Sequence, residues 1–334
     1  MTLTFETLIT HNKRASLGLM AAMMLVLALL CGAILNVFYG VSGEFDWGVF
    51  SYGAVIGCLA GSGAAVVSYF FGSRIIALIN DARPIERHED TVLFNVVEEM
   101  AIAAGLPMPK IYVIPDESPN AFATGRDPKN AIIGITTGLR KKLDRDELQA
   151  VIAHEMAHIK NYDIRLMMLV AVFAGIIVLV SDFFLRSFIN DLPFRGRRRG
   201  YTRSSSKKGS GLAIIALVVA LLLAWLAPLL AKLLQLAVSR EREYLADSTA
   251  VQLCRNPLAL AGALKKIALD PEKLEYDNRA TEHLFIVNPD PKRRLSNADK
   301  DSIWSTHPPL IKRIAKLNKL AGAYDNRPRP DGQS

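Results

Sequence analysis

Cysteine is nearly absent from this 334-residue chain. Its three cysteines, Cys31, Cys58 and Cys254, form no CxxC pair, and two of them fall inside long apolar runs. Neither a disulfide framework nor a cysteine-ligated zinc is therefore expected, and any metal must be held by histidine and carboxylate. Histidine is scarce too, with six in all. His88-Glu89 has Val92 where a second histidine would be needed, and His11 and His283 have no ligand-like neighbours, so these three read as surface residues. The net charge of +8 comes with no aromatic-interleaved basic motif. That argues against a nucleic-acid partner and leaves Lys and Arg flanking membrane segments as the plain source of the excess.

Charge itself is missing from four stretches. Residues 17–37 and 50–71 carry none, residues 166–185 only Asp182, and residues 212–238 only Lys232. Each run is near or beyond the ~20 residues that cross a hydrocarbon core, so four membrane helices are expected, the first two at about 16–38 and 50–72. The first run is longer than a signal-peptide core and is followed by a second uncharged run, so it reads as an anchor. Gly53, Gly57 and Gly61 in the second run form a small-xxx-small series that lets helix backbones approach closely.

Lys13 and Arg14 precede the first run, the connection at 39–49 has no Lys or Arg, and Arg74, Arg83 and Arg87 follow the second. By the positive-inside rule the N-terminus and residues 73–165 are cytoplasmic. Residues 186–211 carry eight basic side chains and would lie outside, against that rule, if runs three and four both crossed. A hairpin that dips in without crossing keeps them inside. Either arrangement returns residue 240 to the side that holds His154.

The expected fold is therefore an α+β membrane protein, mainly helical, with four hydrophobic helices and a small zincin-like sheet-plus-helix catalytic domain. Its divisions are a membrane hairpin (1–75), the zincin-like part (76–165), a second hydrophobic hairpin (166–238), the remainder of the catalytic domain (239–322) and a disordered Pro-rich tail (323–334). Within it, residues 91–104 read as an amphipathic helix and residues 111–114 and 131–136 as strands. A short β-like piece at 119–125 lies between the strands, and further helices are expected near 257–268 and 309–320.

The chemistry is concentrated in His154-Glu155-Met156-Ala157-His158. Histidines four apart share one face of a helix, so both imidazoles can reach a single ion, and Glu155 can address a water in an open coordination position. Two surface histidines on an amphipathic helix are the plain alternative. Asp144 and Glu147 make a capping-box-like start, which places the motif on a helix of roughly 146–161. The metzincin extension, with a glycine and a histidine at set distances, does not follow His158. The third ligand must be distant.

The segment Ser239-Arg240-Glu241-Arg242-Glu243-Tyr244-Leu245-Ala246-Asp247 directly follows the fourth run. Glu243 could complete a His-His-Glu site, with Asp247, four residues on, accepting an imidazole N–H. Glu241 competes but lacks an acidic residue at the fourth position beyond it. On this pattern alone, a solvated charged helix end with Glu–Arg pairs is the better reading.

HExxH, then Ser-Arg-x-Arg-Glu-Tyr-x-Ala-Asp after an apolar run, then Ser305-Thr306-His307-Pro308-Pro309, resembles the HtpX-type membrane zinc endopeptidases, relatives of the CAAX prenyl endopeptidases. The similarity covers nearly the whole chain, including the paired N-terminal membrane helices and the Asn-Ala-Phe-Ala-Thr-Gly segment. The resemblance implies one zinc per chain at His154, His158 and Glu243, with Glu155 as catalytic acid/base. It also implies a substrate backbone held along Asn120, Ala121, Phe122, Ala123 and Thr124, with His307 beside the reaction centre. The chain departs from the pattern in its Arg- and Ser-rich loop and in a polar insertion at 269–300.

The same residues outline a mechanism. Glu155 would take a proton from water and return it to the leaving amine, and His307 would donate to the developing oxyanion. A histidine packed at a Pro-bounded helix start is the alternative for His307. Asn120 would hydrogen-bond a substrate main chain added to the short strand. Arg313 is placed to hold a carboxylate or brace the site, a solvated helix arginine being the alternative. The expected function is a gluzincin-type endopeptidase of the bacterial inner membrane with its active site at the cytoplasmic face. Its partners would be the lipid bilayer and unfolded or membrane-embedded polypeptides, in protein quality control under stress. A non-proteolytic zinc scaffold and a prenyl-processing peptidase are the competing readings.

Overall fold

The computed structural model describes residues 5–39, 45–191, 240–275, 281–291 and 308–325. Helices α1 (Phe5–Tyr39) and α2 (Trp47–Ile79) pair as a hairpin. Asp46 starts α2 by accepting hydrogen bonds from the Gly48 and Val49 amides. The glycine series does what its spacing suggests: a Cβ on Gly53 would meet the Cys31 carbonyl at 2.6 Å, one on Gly57 the Leu27 carbonyl, and one on Gly61 the Met24 backbone at 3.1 Å. The contact residues descend along α1 as the glycines ascend along α2, so the helices are antiparallel.

Large apolar side chains stay uncovered on both helices, among them Leu17, Leu25 and Leu29 on α1 and Val55, Leu59, Val66 and Phe70 on α2. Water does not tolerate an apolar surface of that extent; a hydrocarbon core does. Asn12–Ala33 and Trp47–Ile79 are, among the described residues, the segments long and apolar enough to cross a membrane. Both helices run well past the expected 16–38 and 50–72. Their added turns bury Asn12 at one end and Ile76 and Ala77 at the other against the α/β part of the chain, so the hairpin is built into that domain.

That domain begins with a four-stranded sheet. Strand β1 (Arg83–Pro84) precedes helix α3 (Thr91–Ala104), which Asp90 caps at the Leu93 amide and Gly105 ends in the left-handed region (φ 68°). Strands β2 (Lys110–Ile114), β3 (Ala121–Gly125) and β4 (Ala131–Thr136) follow. The sheet order is β1-β2-β4-β3, with β4 parallel to β2 and antiparallel to β3. Strand β3 is therefore an edge. Part of its free side is covered by the chain itself, since the Ile286 amide donates to the Ala121 carbonyl (2.9 Å) and Phe285 bridges to Phe122.

A short helix α4 (Thr137–Lys142) leads into α5 (Arg145–Lys160). The expected capping box is present, with Asp144 accepting from the Glu147 amide and Glu147 accepting from the Asp144 amide. Helix α5 is buried at every residue from Ala150 to Ile159, which puts HExxH in the middle of the core rather than on an amphipathic face. Around it pack α3, β3, α7 (Arg240–Cys254) and α8 (Pro257–Leu269).

Helix α6 (Asp163–Asp191) carries the third hydrophobic run. Its first turns, from Ile164 to Ala174, are almost wholly buried against the hairpin and β3 except at Arg165, so much of this run is protein core. The fourth run, 212–238, lies outside the described residues. Helix α9 (Leu310–Asp325) extends past residue 323, where the tail was expected to begin. His88 is exposed, the side chain of His11 lies outside those described, and His283 corrects the surface expectation: it is 2% exposed, with Nε2 3.1 Å from the Met167 carbonyl.

Replacing Gly57 with leucine should separate the hairpin. Overpacking a close helix contact costs about 1–3 kcal/mol, so the detergent-purified Gly57→Leu variant should melt several degrees lower, whereas leucine at Gly63, where an added Cβ meets nothing within 4 Å, should change little. Differential scanning fluorimetry of the two variants decides it.

Candidate active site

Helices α5 and α7 come from parts of the chain separated by the 166–238 segment, yet they pack side by side. Their contact brings His154 Nε2 to 3.2 Å from His158 Nε2, and puts Glu243 carboxylate oxygens 3.8 Å from the first and 3.6 Å from the second. All three residues are buried and their ligand atoms lie within 4.8 Å of one another. Arms of ~2.0–2.2 Å in tetrahedral zinc coordination require ligand–ligand separations of roughly 3.3–3.6 Å. The observed distances bracket that range.

The far side of each imidazole settles its tautomer. Asp247 Oδ1 lies 3.0 Å from His154 Nδ1, and Asp163 Oδ2 lies 3.1 Å from His158 Nδ1. With a carboxylate at each Nδ1, the ring proton belongs there and the lone pair is left on Nε2. In the neutral form each ring then presents its Nε2 lone pair to the same point, so the donor chemistry as well as the spacing suits a divalent metal.

Carboxylates are held in turn. Arg313, fully buried on α9, grips Asp247 through Nε (2.8 Å) and Nη2 (2.6 Å), while its Nη1 lies 3.2 Å from Glu243 and donates to the Ile286 carbonyl (3.0 Å). The Asp247 and Glu243 carboxylates raise its pKa well above the ordinary arginine value despite burial. Arg242, next to Glu243, reaches Asp163 Oδ1 at 3.0 Å. Asp163 and Arg242 were not picked out in the sequence. An aspartate just beyond the HExxH helix was the available signal, since a metal-bound histidine needs an acceptor for its other nitrogen.

Glu155 sits on the inner face, 1% exposed, with the backbone of Ala123 on β3 close enough to favour its ionised form. Burial raises its pKa to about 7, helped by the Glu243 charge and opposed by the His158 and Arg313 charges. His154 is pushed down by its burial. Burial also pushes His158 down, but Asp163, Glu243 and Glu155 overcome it and lift the ring to about 9. Burial opposes ionisation of Asp247, yet Arg313 and His154 hold it below the usual carboxylate range.

The residues expected to touch substrate are placed differently. Asn120 is buried, its amide donating to the Val287 carbonyl (3.0 Å) and its carbonyl oxygen accepting from the Ala121 amide (3.1 Å). Phe122 stacks edge-on against Phe285, and Ala121 and Ala123 face the core. What β3 can still offer is main chain. Arg313 has its guanidinium taken up by Asp247, Glu243 and a carbonyl, which corrects the substrate-contact reading in favour of bracing. His307 lies outside the described residues.

A buried HExxH pair that converges with a distant glutamate beneath a membrane hairpin is the build of a membrane metalloendopeptidase. The comparisons agree. The family described as Peptidase family M48 matches residues 87–321. Proteins named protease HtpX homolog are similar to this chain: one from Dictyoglomus turgidum is 40% identical over 317 residues, 95% of each chain, and one from Dictyoglomus thermophilum 41% identical over the same coverage. Another, from Thermococcus sibiricus, is 42% identical over 76% of this chain and 82% of its own. A crystal structure of S. mikatae Ste24p aligns with 85% of this chain and 61% of that one at 23% identity and a TM-score of 0.43. The chain belongs to peptidase family M48, and it is a metalloendopeptidase.

Removing the hydrogen-bond acceptor behind either imidazole should weaken the metal site without abolishing it. Asp247→Asn and Asp163→Asn should each lower zinc affinity roughly 10–100-fold, as losses of such outer partners do. Competition against a fluorescent zinc chelator measures this; affinities unchanged within twofold would remove both aspartates from the metal's support.

Proposed function

We propose that the protein is a zinc-dependent endopeptidase of the bacterial inner membrane, cleaving misfolded or damaged polypeptides, membrane proteins among them, at the cytoplasmic face. The observation that carries the reading is the convergence of the His154 and His158 Nε2 atoms on the Glu243 carboxylate, with both Nδ1 atoms facing aspartates. Bound there, zinc would supply a Lewis acid and a water acidic enough to attack at neutral pH. The chain contributes the rest. Glu155, next to His154 and beside the Ala123 backbone, accepts the proton of the attacking water and passes it to the leaving amine. His307 serves as donor to the developing oxyanion.

Because Ala123 links strand β3 to Glu155, an extended polypeptide pairing with the open part of β3 would pass beside the proton acceptor. Such main-chain pairing is sequence-tolerant, which fits a quality-control substrate range. Segment 285–287, seated on the Ala121 end of that edge, would limit how far a substrate strand can pair. In this reading the chain divides into an N-terminal hairpin (1–75), two catalytic parts (76–165 and 239–322) and an interposed hydrophobic pair (166–238). That last pair returns the chain to the same side whether or not it crosses the bilayer.

The scaffold alternative gives way to the family assignment. A structural zinc site usually closes with a fourth protein ligand and has no need of Glu155.

Glu155→Gln should keep its zinc and lose casein hydrolysis by at least roughly 100-fold, the scale of general acid–base catalysis, while Glu243→Ala should lose the metal itself. Elemental analysis beside a casein assay separates the two. Full activity in Glu155→Gln would refute the proton-transfer role, and intact zinc content in Glu243→Ala would move the third ligand elsewhere. For orientation, Lys129 is exposed on the catalytic domain. A Lys129→Cys variant lacking the native cysteines should react with membrane-impermeant maleimide in inverted but not right-side-out vesicles; the opposite pattern would place the active site outside.

A further inference from the structure

The turn that joins α5 to α6 is fastened to the membrane anchor by a single buried amide. Asn12 lies in the second turn of α1 and opens the apolar segment Asn12–Ala33, yet it is only 3% exposed. Its Nδ2 donates to the Asn161 carbonyl (2.8 Å) and to Asp163 Oδ1 (2.6 Å), and its Oδ1 accepts from Arg242 Nη1. Both amide protons and the amide oxygen are thus used. One turn on, buried Ser16 hydrogen-bonds the Asn12 carbonyl (2.8 Å).

What Asn12 holds is the rear of the metal site. Asp163 divides its carboxylate, Oδ2 facing His158 Nδ1 at 3.1 Å while Oδ1 receives Asn12 and Arg242. Arg242 is the chain neighbour of Glu243, so the same three-way contact pins the helix that brings the third ligand. The turn it secures is strained: Tyr162 has φ 60°, a conformation that a non-glycine residue adopts at some cost. Lys13 adds a second fastening, its Nζ lying 4.7 Å from the Tyr162 ring centroid.

The side-chain type matters as much as the contact. A lysine at position 12 would compete with His158 for the Asp163 charge. An aspartate would set two carboxylates against one arginine. A leucine, branched alike but larger and without polar atoms, would take one donor from Asp163 Oδ1 and from the Asn161 carbonyl, which a buried site tolerates poorly.

We propose that Asn12, on the N-terminal membrane helix, is a positioning residue of the metal centre, fixing His158 through Asp163 and Glu243 through Arg242. The proposal rests on the His154–His158–Glu243 reading of that centre. On this account the membrane helix contributes to metal affinity directly, and the anchor and the catalytic site are one structural unit.

The test uses the full-length protein in detergent, with zinc affinity measured by chelator competition and with cobalt(II) substituted for its absorption spectrum. Asn12→Leu should weaken zinc binding roughly 10-fold or more, within the range for outer partners of metal ligands, and should shift the cobalt(II) visible bands. Asn12→Ser, a milder change should Asn12→Leu fail to fold, should fall between it and the parent. Ser16→Ala, which touches only the Asn12 backbone, should bind zinc as the parent does. In an Asp163→Asn background Asn12→Leu should cost less than it does in the parent, because the route to His158 is already lost and only the route to Glu243 through Arg242 remains. Zinc affinity and cobalt spectrum unchanged in folded Asn12→Leu or Asn12→Ser would overturn the proposal, as would fully multiplicative effects of the two substitutions. If His158→Ala and Glu243→Ala lose zinc while the Asn12 variants do not, only this proposal fails; if those two retain zinc, the metal-site reading fails first.

Discussion

The structure turns on a concentration of negative charge that the core cannot hold alone. Glu155, Asp163, Glu243 and Asp247 are all buried around one site, and two guanidinium groups, of Arg242 and Arg313, reach three of them, Asp163, Glu243 and Asp247. Buried charges that lack a partner cost several kcal/mol each even after relaxation. With all four carboxylates ionised and both imidazoles neutral the excess is two, which a divalent cation would cancel. The protonation tendencies tell the same story: His158 is lifted to about 9 and Glu155 to about 7. Each shift moves the site toward positive charge, the direction that offsets the buried carboxylates.

That requirement explains why so much of the fold is bracing. Arg313 comes from the last described helix to hold Asp247, which in turn orients His154. Arg242 and Asn12 hold Asp163, which orients His158. Helix α5 has no free face because every direction must supply either apolar packing or an oriented polar group. The usual signature of an amphipathic surface helix is consequently blurred in its sequence.

The edge strand joins this arrangement to substrate. The Ala123 backbone of β3 lies beside Glu155, and its Ala121 carbonyl accepts from the Ile286 amide. In the proposed mechanism proton transfer and peptide docking share one strand, and a shift in β3 would disturb both. With Asn120 and Phe122 drawn into packing, β3 leaves backbone as the surface on which the proposed substrate strand would pair.

Several features were determined by sequence alone. The capping box at Asp144 and Glu147, the 91–104 helix, the strands flanking the Asn-Ala-Phe-Ala-Thr-Gly segment and the glycine series of α2 all depend on neighbours close in the chain, and local chemistry specified them. HExxH gave half of a metal site for the same reason, since a helix fixes the relation of residues four apart. Only the tertiary structure decided the rest. Glu243, by pattern alone a residue of a solvated helix end, is buried because α7 packs on α5 across a long intervening segment. Asp163, Arg242 and Asn12 share no local pattern at all; they meet because α1 extends beyond its apolar run and lies against the α5–α6 turn. His283 and Arg313, polar residues with no local reason to be buried, are interior for the same cause. A sequence displays the periodicity of its own elements, but the partner of a buried charge is set by which elements pack together.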